Sequence, residues 1–450
     1  CVPAVTGFDD AGATVDYEQV AETMGWDDVV GLGEMMNFPG ILGGEENAQH
    51  EVGETLKAGK CVTGHYSISE TDRGLNAYIA SGVRACHECI TADDVMAKLR
   101  MGMYVQARYG SAWLSLPNYL PQVLESGVDT RLIILCTDDN HPNTLVNEGG
   151  MDRALRAVLG CGCDPVTALQ FATINAAQCL GVDQDMGSIT PGKCADMVIL
   201  PDLESFVPEQ VYIDGDLVAQ GGKATFDHEL FEWPDFMTHT MNVGRTFTAA
   251  DFEIPVDRPD GMCRVRAIGG VGGSTITEDA VIEVPVVNGK LQANPAIDAL
   301  KMAVFDRHHG AEGTHSFGFC TGFGVHGALA QTVAHDSHNL LVVGDNDEDM
   351  ALAAQTLVEC GGGEVAVQDG RVLALVELPV CGLMSDKHVE EVAREVAAIE
   401  QAWADMGCKM PSPFMTMGIL SLPCVPVLRL TNRGYVNCLT FQFEDLLIKE

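Results

Sequence analysis

The sequence predicts an α/β protein: parallel strands of the (β/α) barrel kind, then a small antiparallel sheet, then an α+β domain. Three observations carry this. Residues 1 to about 185 alternate short apolar runs with helical stretches, the mark of βα repeats and a parallel sheet. Four of those runs end in a residue able to ligate a metal, Glu34, His65, His87 or Asp138. Beyond about residue 186 the pattern turns to Asp-Gly and Asn-Gly pairs between alternating runs, which marks hairpins.

In chain order, Val29-Val30 leads into Gly33-Glu34, Cys61-Val62 into Gly64-His65, and Ala85-Cys86 into His87-Glu88. Thr91 then caps a helix whose Val95, Met96, Leu99 and Met103 recur at three- and four-residue spacing, with Asp93 and Asp94 suiting the dipole of its first turn. The run Leu132–Leu135 leads into Thr137-Asp138-Asp139. Asp164-Pro165 opens one further helix, carrying Val166, Leu169 and Ile174 and stopped by Gly181. Asp214-Gly215 marks a hairpin in the small sheet, and Asn288-Gly289 and Asp369-Gly370 mark two more in the last domain. A long amphipathic helix there places Val389, Val392, Val396, Ile399, Trp403 and Met406 on one apolar face and ends at Gly407. The expected divisions are 1–185 for the partial barrel, 186–245 for the small sheet with a linker, and 246–450 for the α+β domain.

Composition bounds the function. A net charge of −38 on 450 residues argues against nucleic acid as a partner, because displacing counterions from phosphates needs a basic face. No apolar run approaches the roughly 18 residues of a membrane span, and the first residues lack a signal peptide's pattern, so a cytoplasmic location without a membrane partner is expected. Sixteen cysteines are then expected as reduced thiols, and Cys161-Gly-Cys163 lacks the second pair that a zinc finger needs.

Parallel strands separated by helices bring their carboxyl ends to one face, where barrel active sites lie. Glu34, His65, His87 and Asp138 would meet there as two imidazoles and two carboxylates, a set suited to zinc, manganese or iron(II). Hydrolysis is the expected chemistry, with Asp138 holding a water and taking its proton. Glu34 has two oxygens with which to bridge two ions. Glu88 would either shuttle protons or orient the imidazole of His87. Val333-Ala-His335-Asp336-Ser-His338-Asn339 is a second polar cluster, read either as a loop reaching a substrate pocket or as a network of its own. Two other motifs are set aside. The acidic run Gly344–Met350 lacks the Asp-x-Asp-x-Thr strand end of haloacid-dehalogenase phosphatases. His388-Val-Glu390 with Pro423-Cys424 lacks the second cysteine of the zinc nucleobase deaminases, where Val427 stands instead.

Together these segments resemble the bacterial-type adenine deaminases of the amidohydrolase superfamily. The most specific stretches are Gly33-Glu-Met-Met-Asn-Phe-Pro-Gly40, Leu75-Asn-Ala-Tyr-Ile-Ala80 with His87-Glu88, and Leu135-Cys-Thr-Asp-Asp139. Pro191-Gly-Lys-Cys-Ala-Asp196, Val333–Asn339, Asn346–Leu352 and Gly382-Leu-Met-Ser-Asp386 follow in order. The resemblance implies a metal-dependent barrel, of which strands four to eight are present, a remnant of a small β-sandwich, and a family-specific C-terminal domain. It implies hydrolysis of adenine to hypoxanthine and ammonia with two divalent metal ions, manganese or iron(II), with zinc as the alternative. Glu34 then corresponds to the bridging carboxylate, His65 and His87 to the imidazole ligands, and Asp138 to the last-strand aspartate. His335, Asp336 and His338 are the expected adenine contacts, and a homo-oligomer is expected. The family's first-strand His-x-His pair has no counterpart here, and its third strand is represented by little more than Cys1-Val2-Pro3. The chain is therefore expected to be a fragment of a longer enzyme, inactive alone. Two other readings are a related hydrolase acting on another cyclic amidine or amide, and a non-catalytic purine-binding relative.

Overall fold

A computed structural model describes residues 2–227, 231–270, 272 and 275–449. They fall into two compact units. The first holds Val15–Asn140 and Asn147–Leu230; the second holds Val2–Thr14, His141–Val146 and Phe231–Glu450.

In the first unit five strands form one parallel sheet in sequential order: β1 (Gly31–Met35), β2 (Cys61–Gly64), β3 (Ala85–Cys86), β4 (Tyr104–Arg108) and β5 (Ile133–Cys136). The helices Glu46–Lys57, Arg73–Ala80, Ala92–Arg100 and Leu116–Glu125 lie between successive strands. Ile133, Ile134 and Leu135 are all buried, as a parallel strand covered on both faces requires. Thr91 caps Ala92–Arg100 by accepting from the Asp94 N–H at 3.3 Å, and Val95 and Leu99 enter the core with Val105, Leu120 and Ile133. The stretch after Asp164 is not one helix. It breaks at Thr173 into Pro165–Ala172 and Ile174–Leu180, and Val166 is exposed while Ala168 and Phe171 fill the core. The mixed α/β character expected of the chain is present. Of Cys1-Val2-Pro3, Cys1 lies outside the described residues, and Val2 makes no more than an isolated bridge.

Met197–Ile199, Gln210–Ile213, Asp216–Gln220 and Lys223–Ala224 make the small antiparallel sheet. Its central turn is Asp214-Gly215, both at positive φ (50° and 88°), the geometry of a tight hairpin that favours this pair.

The second unit is built on a ten-stranded, mostly antiparallel sheet. Its strand Leu300–Phe305 is buried at every position, and the reason is a helix on each face. Met302 and Val304 pack with Val392, Val396, Ile399 and Trp403 of the helix Val389–Asp405. Ala303 and Phe305 pack with Met350, Ala353 and Leu357 of Asp347–Cys360. Val389, expected on the apolar face, is exposed in the first turn. The acidic run at 345–349 is a helix start: Asn346 accepts from the Asp349 N–H at 2.8 Å, and Asp347 pairs with Lys301 at 2.6 Å. No described helix is long and apolar enough to cross a membrane.

Candidate functional site

Five adjacent strands bring six polar side chains to the carboxyl edge of the first unit's sheet. Glu34 lies within β1, where the pairing with β2 slips between Leu32 and Met35. Such a bulge re-aims a side chain. His65 follows β2 directly, and His87 and Glu88 follow β3. Arg108 ends β4, and Asp138 stands two residues beyond β5 with a left-handed backbone, φ 58°.

The sequence-predicted quartet comes together in two overlapping groups that share His87. Oε2 of Glu34 lies 3.7 Å from Nδ1 of His65 and 3.4 Å from Nδ1 of His87. Nε2 of His87 lies 3.5 Å from Oε1 of Glu88 and 3.9 Å from Oδ2 of Asp138. One ligand atom from each of Glu34, His65 and His87 falls within 4.8 Å of the others, and the same holds for His87, Glu88 and Asp138. Most of these separations exceed a hydrogen bond. They match the roughly 3–4 Å between two donors that each sit about 2.1 Å from one cation, so the residues fit a divalent ion.

Two supports hold these candidate ligands in place. The Tyr78 hydroxyl accepts from the His65 N–H at 3.0 Å and donates to the Met35 carbonyl at 2.6 Å, tying the end of β2 to that of β1. A Cβ at Gly64 would run into that hydroxyl and into Val83, which is why glycine precedes the ligand. Below His87-Glu88, the buried Lys98 donates to Asp94 at 2.7 Å and to the Glu88 carbonyl at 3.4 Å. In the loop after His65, Tyr66 is buried and donates to Glu70 at 2.8 Å, and Glu70 accepts from the Asp72 and Leu75 N–H groups.

Sequence reasoning missed Arg108. It is 2% exposed, donates to Asp138 Oδ2 at 2.7 Å, and pairs with Glu88 through the same nitrogen. Burial alone would raise the Glu88 carboxyl, but Arg108 and the imidazoles of His65 and His87 outweigh it and bring it down to about 2. The missed signal was available: Tyr104–Arg108 is a strand run ended by a polar residue, like the others.

His335, Asp336 and His338 belong to the second unit, in the turn after the strand Ala328–Gln331. They form a cluster of their own, their ligand atoms within 4.8 Å of one another. The His335 N–H donates to the Gly418 carbonyl, and the Ser421 hydroxyl donates to the His335 carbonyl.

Residues 118–218 match the amidohydrolase family, which places the first unit among hydrolases of that class. Residues 274–442 match the adenine deaminase C-terminal domain. An adenine deaminase of Clostridium botulinum (strain 657 / Type Ba4) is 51% identical over 451 residues, covering 100% of this chain and 75% of that protein. One of Moorella thermoacetica is 46% identical over 448 residues, covering 99% and 75%. The chain belongs to the adenine deaminase family. Among solved structures, a β-aspartyl dipeptidase of Fervidobacterium islandicum aligns with a TM-score of 0.37 at 16% identity, over 47% of this chain and 61% of that one.

Proposed function

We propose that this chain carries hydrolytic machinery for converting adenine and water to hypoxanthine and ammonia, on strands four to eight of a (β/α) barrel. Glu34, His65, His87 and Asp138 would hold two divalent cations, manganese or iron(II) first and zinc as the alternative, with Glu34 between them. The observation that supports this most is that four residues drawn from four strands fall into two groups sharing His87, each at separations suited to an ion. Family membership supports adenine as the substrate.

When bound, the cations supply the acidity that makes a water nucleophilic near neutral pH. Asp138 accepts the proton released as the water oxygen bonds to carbon 6 of the purine. It then returns the proton to the exocyclic nitrogen, so the C–N bond breaks and ammonia leaves. Of the two roles open to Glu88, the geometry favours orientation: its carboxylate is engaged by Arg108 and faces both imidazoles. Arg108 is then a positioning residue for Glu88 and Asp138 together. Arg108→Met is expected to lower metal affinity or turnover about 10–100-fold, the usual cost of losing a group that orients ligands. Equilibrium dialysis and steady-state assays would measure both.

His335, Asp336 and His338 as adenine contacts are a separate expectation, tested by the KM of their variants. A net charge of −38 supports a partner set without nucleic acid.

The deciding experiment assays the complete protein on adenine, cytosine and dihydroorotate, before and after chelation. Turnover of adenine is expected, lost on metal removal and restored by manganese. Activity on either of the other compounds alone overturns the substrate. A content below about one metal per active chain removes the basis of the mechanism.

A further inference from the structure

We infer that the second unit binds a divalent transition-metal cation of its own through His335, Asp336 and His338, with the Asp9 carboxylate as neighbouring countercharge. The three residues share one turn, and a ligand atom from each lies within 4.8 Å of the other two. The two rings are 5.4 Å apart between centroids, and Nδ1 of His335 is 3.1 Å from Oδ1 of Asp336. Two imidazoles and one carboxylate form a three-ligand set that zinc accepts, leaving a further position for water or another carboxylate.

A second, independent observation points to a ligand. Asp9 is 6% exposed, and its Oδ2 accepts from the Ser337 hydroxyl. Its Oδ1 is buried without a hydrogen-bond partner among the described residues. Leaving a buried acceptor in that condition is unfavourable, more so for a charged group. Asp9 lines a cavity of about 10 Å³ with His335, Ser337, Ser421, Thr431 and Asn432, room for a single water-sized sphere. Asp336 and Asp10 lie close enough to repel the Asp9 carboxylate, so the locality is short of positive charge. Arg433, the guanidinium that acts on Asp9, is already paired with Asp10. A dication at the turn removes the deficit.

His338 holds a left-handed backbone, φ 49°, which is unfavourable for a non-glycine residue and persists where its surroundings demand it. A contact of His338 has to yield on binding. The Ala334 N–H donates to Nδ1 of His338 at 3.2 Å, and a nitrogen whose lone pair goes to a metal cannot also accept a proton.

The test titrates zinc ion alone into the metal-free complete protein, followed by calorimetry and by metal analysis after desalting. With the barrel cluster disabled by His65→Ala and His87→Ala, about one equivalent per chain is expected to remain bound. Adding His335→Ala and His338→Ala is expected to abolish it, and Asp9→Asn alone to weaken it about tenfold. To separate ligand loss from misfolding, His335→Gln/His338→Gln is expected to keep the metal-free Tm and lose the rise that zinc produces. Unchanged zinc stoichiometry in the His335 and His338 variants overturns the proposal. So does full zinc retention with a raised KM for adenine, which assigns these residues to the substrate instead.

Discussion

Asp138→Asn is expected to lower turnover of adenine by the complete enzyme about 10²–10⁴-fold, the range contributed by a positioned acid–base group. The substitution isolates chemistry from shape. Asp138 holds φ 58°, a left-handed conformation that asparagine tolerates nearly as well as aspartate and most other residues do not. The amide keeps an oxygen that can accept from Arg108, which donates to Asp138 at 2.7 Å, but it cannot take up a proton. Adenine affinity is therefore expected to change little while kcat falls, with metal supplied in excess so that weaker binding by the amide is saturated. Turnover near the wild-type value would end the assignment of Asp138 as the proton acceptor. Loss of metal in step with loss of turnover would leave it a ligand and nothing more.

Lys98→Ala is expected to destabilise the first unit by about 3–5 kcal/mol, the cost of removing one partner from a buried ion pair. The ammonium is fully buried and donates to Asp94 at 2.7 Å, so solvent screens the pair little. The ring of Tyr66 lies 5.9 Å away. Removing the charge leaves the Asp94 carboxylate without its cation and opens space below His87-Glu88. The double variant Lys98→Met/Asp94→Leu is expected to recover most of the loss, because apolar groups of similar volume replace such pairs at little net cost. Urea unfolding of the transition belonging to the first unit measures both. A single variant within about 1 kcal/mol of wild type would show that the pair is solvated in the working protein.

Much of this was legible in the sequence, for a physical reason. A strand that ends in a residue able to ligate a metal announces itself when the apolar run before it is continuous, and Leu132–Leu135 before Asp138 is such a run. The three Asp-Gly and Asn-Gly turns were legible because few other pairs accept positive φ twice in succession, as Asp214-Gly215, Asn288-Gly289 and Asp369-Gly370 all do. What stayed hidden depended on tertiary neighbours. Asp94 reads as a residue suited to a helix dipole, and nothing local says that Lys98, one turn on, is buried beside it. Arg108 belongs to no ligand class, so its strand end drew no notice, although it bridges two carboxylates. The break at Thr173 was invisible because Ile174 continues the apolar spacing across it.

The phenol of Tyr78 has a consequence for how such a centre changes over evolutionary time. The gap between Glu34 and His65, 3.7 Å, is fastened by a hydroxyl from Arg73–Ala80, a helix that contributes no donor to the cluster. Were these residues to hold a cation as proposed, fit to its radius would be adjustable from outside the coordination sphere. Drift in that helix would then retune which cation is preferred while every proposed coordinating residue, and the chemistry assigned to it, is left untouched.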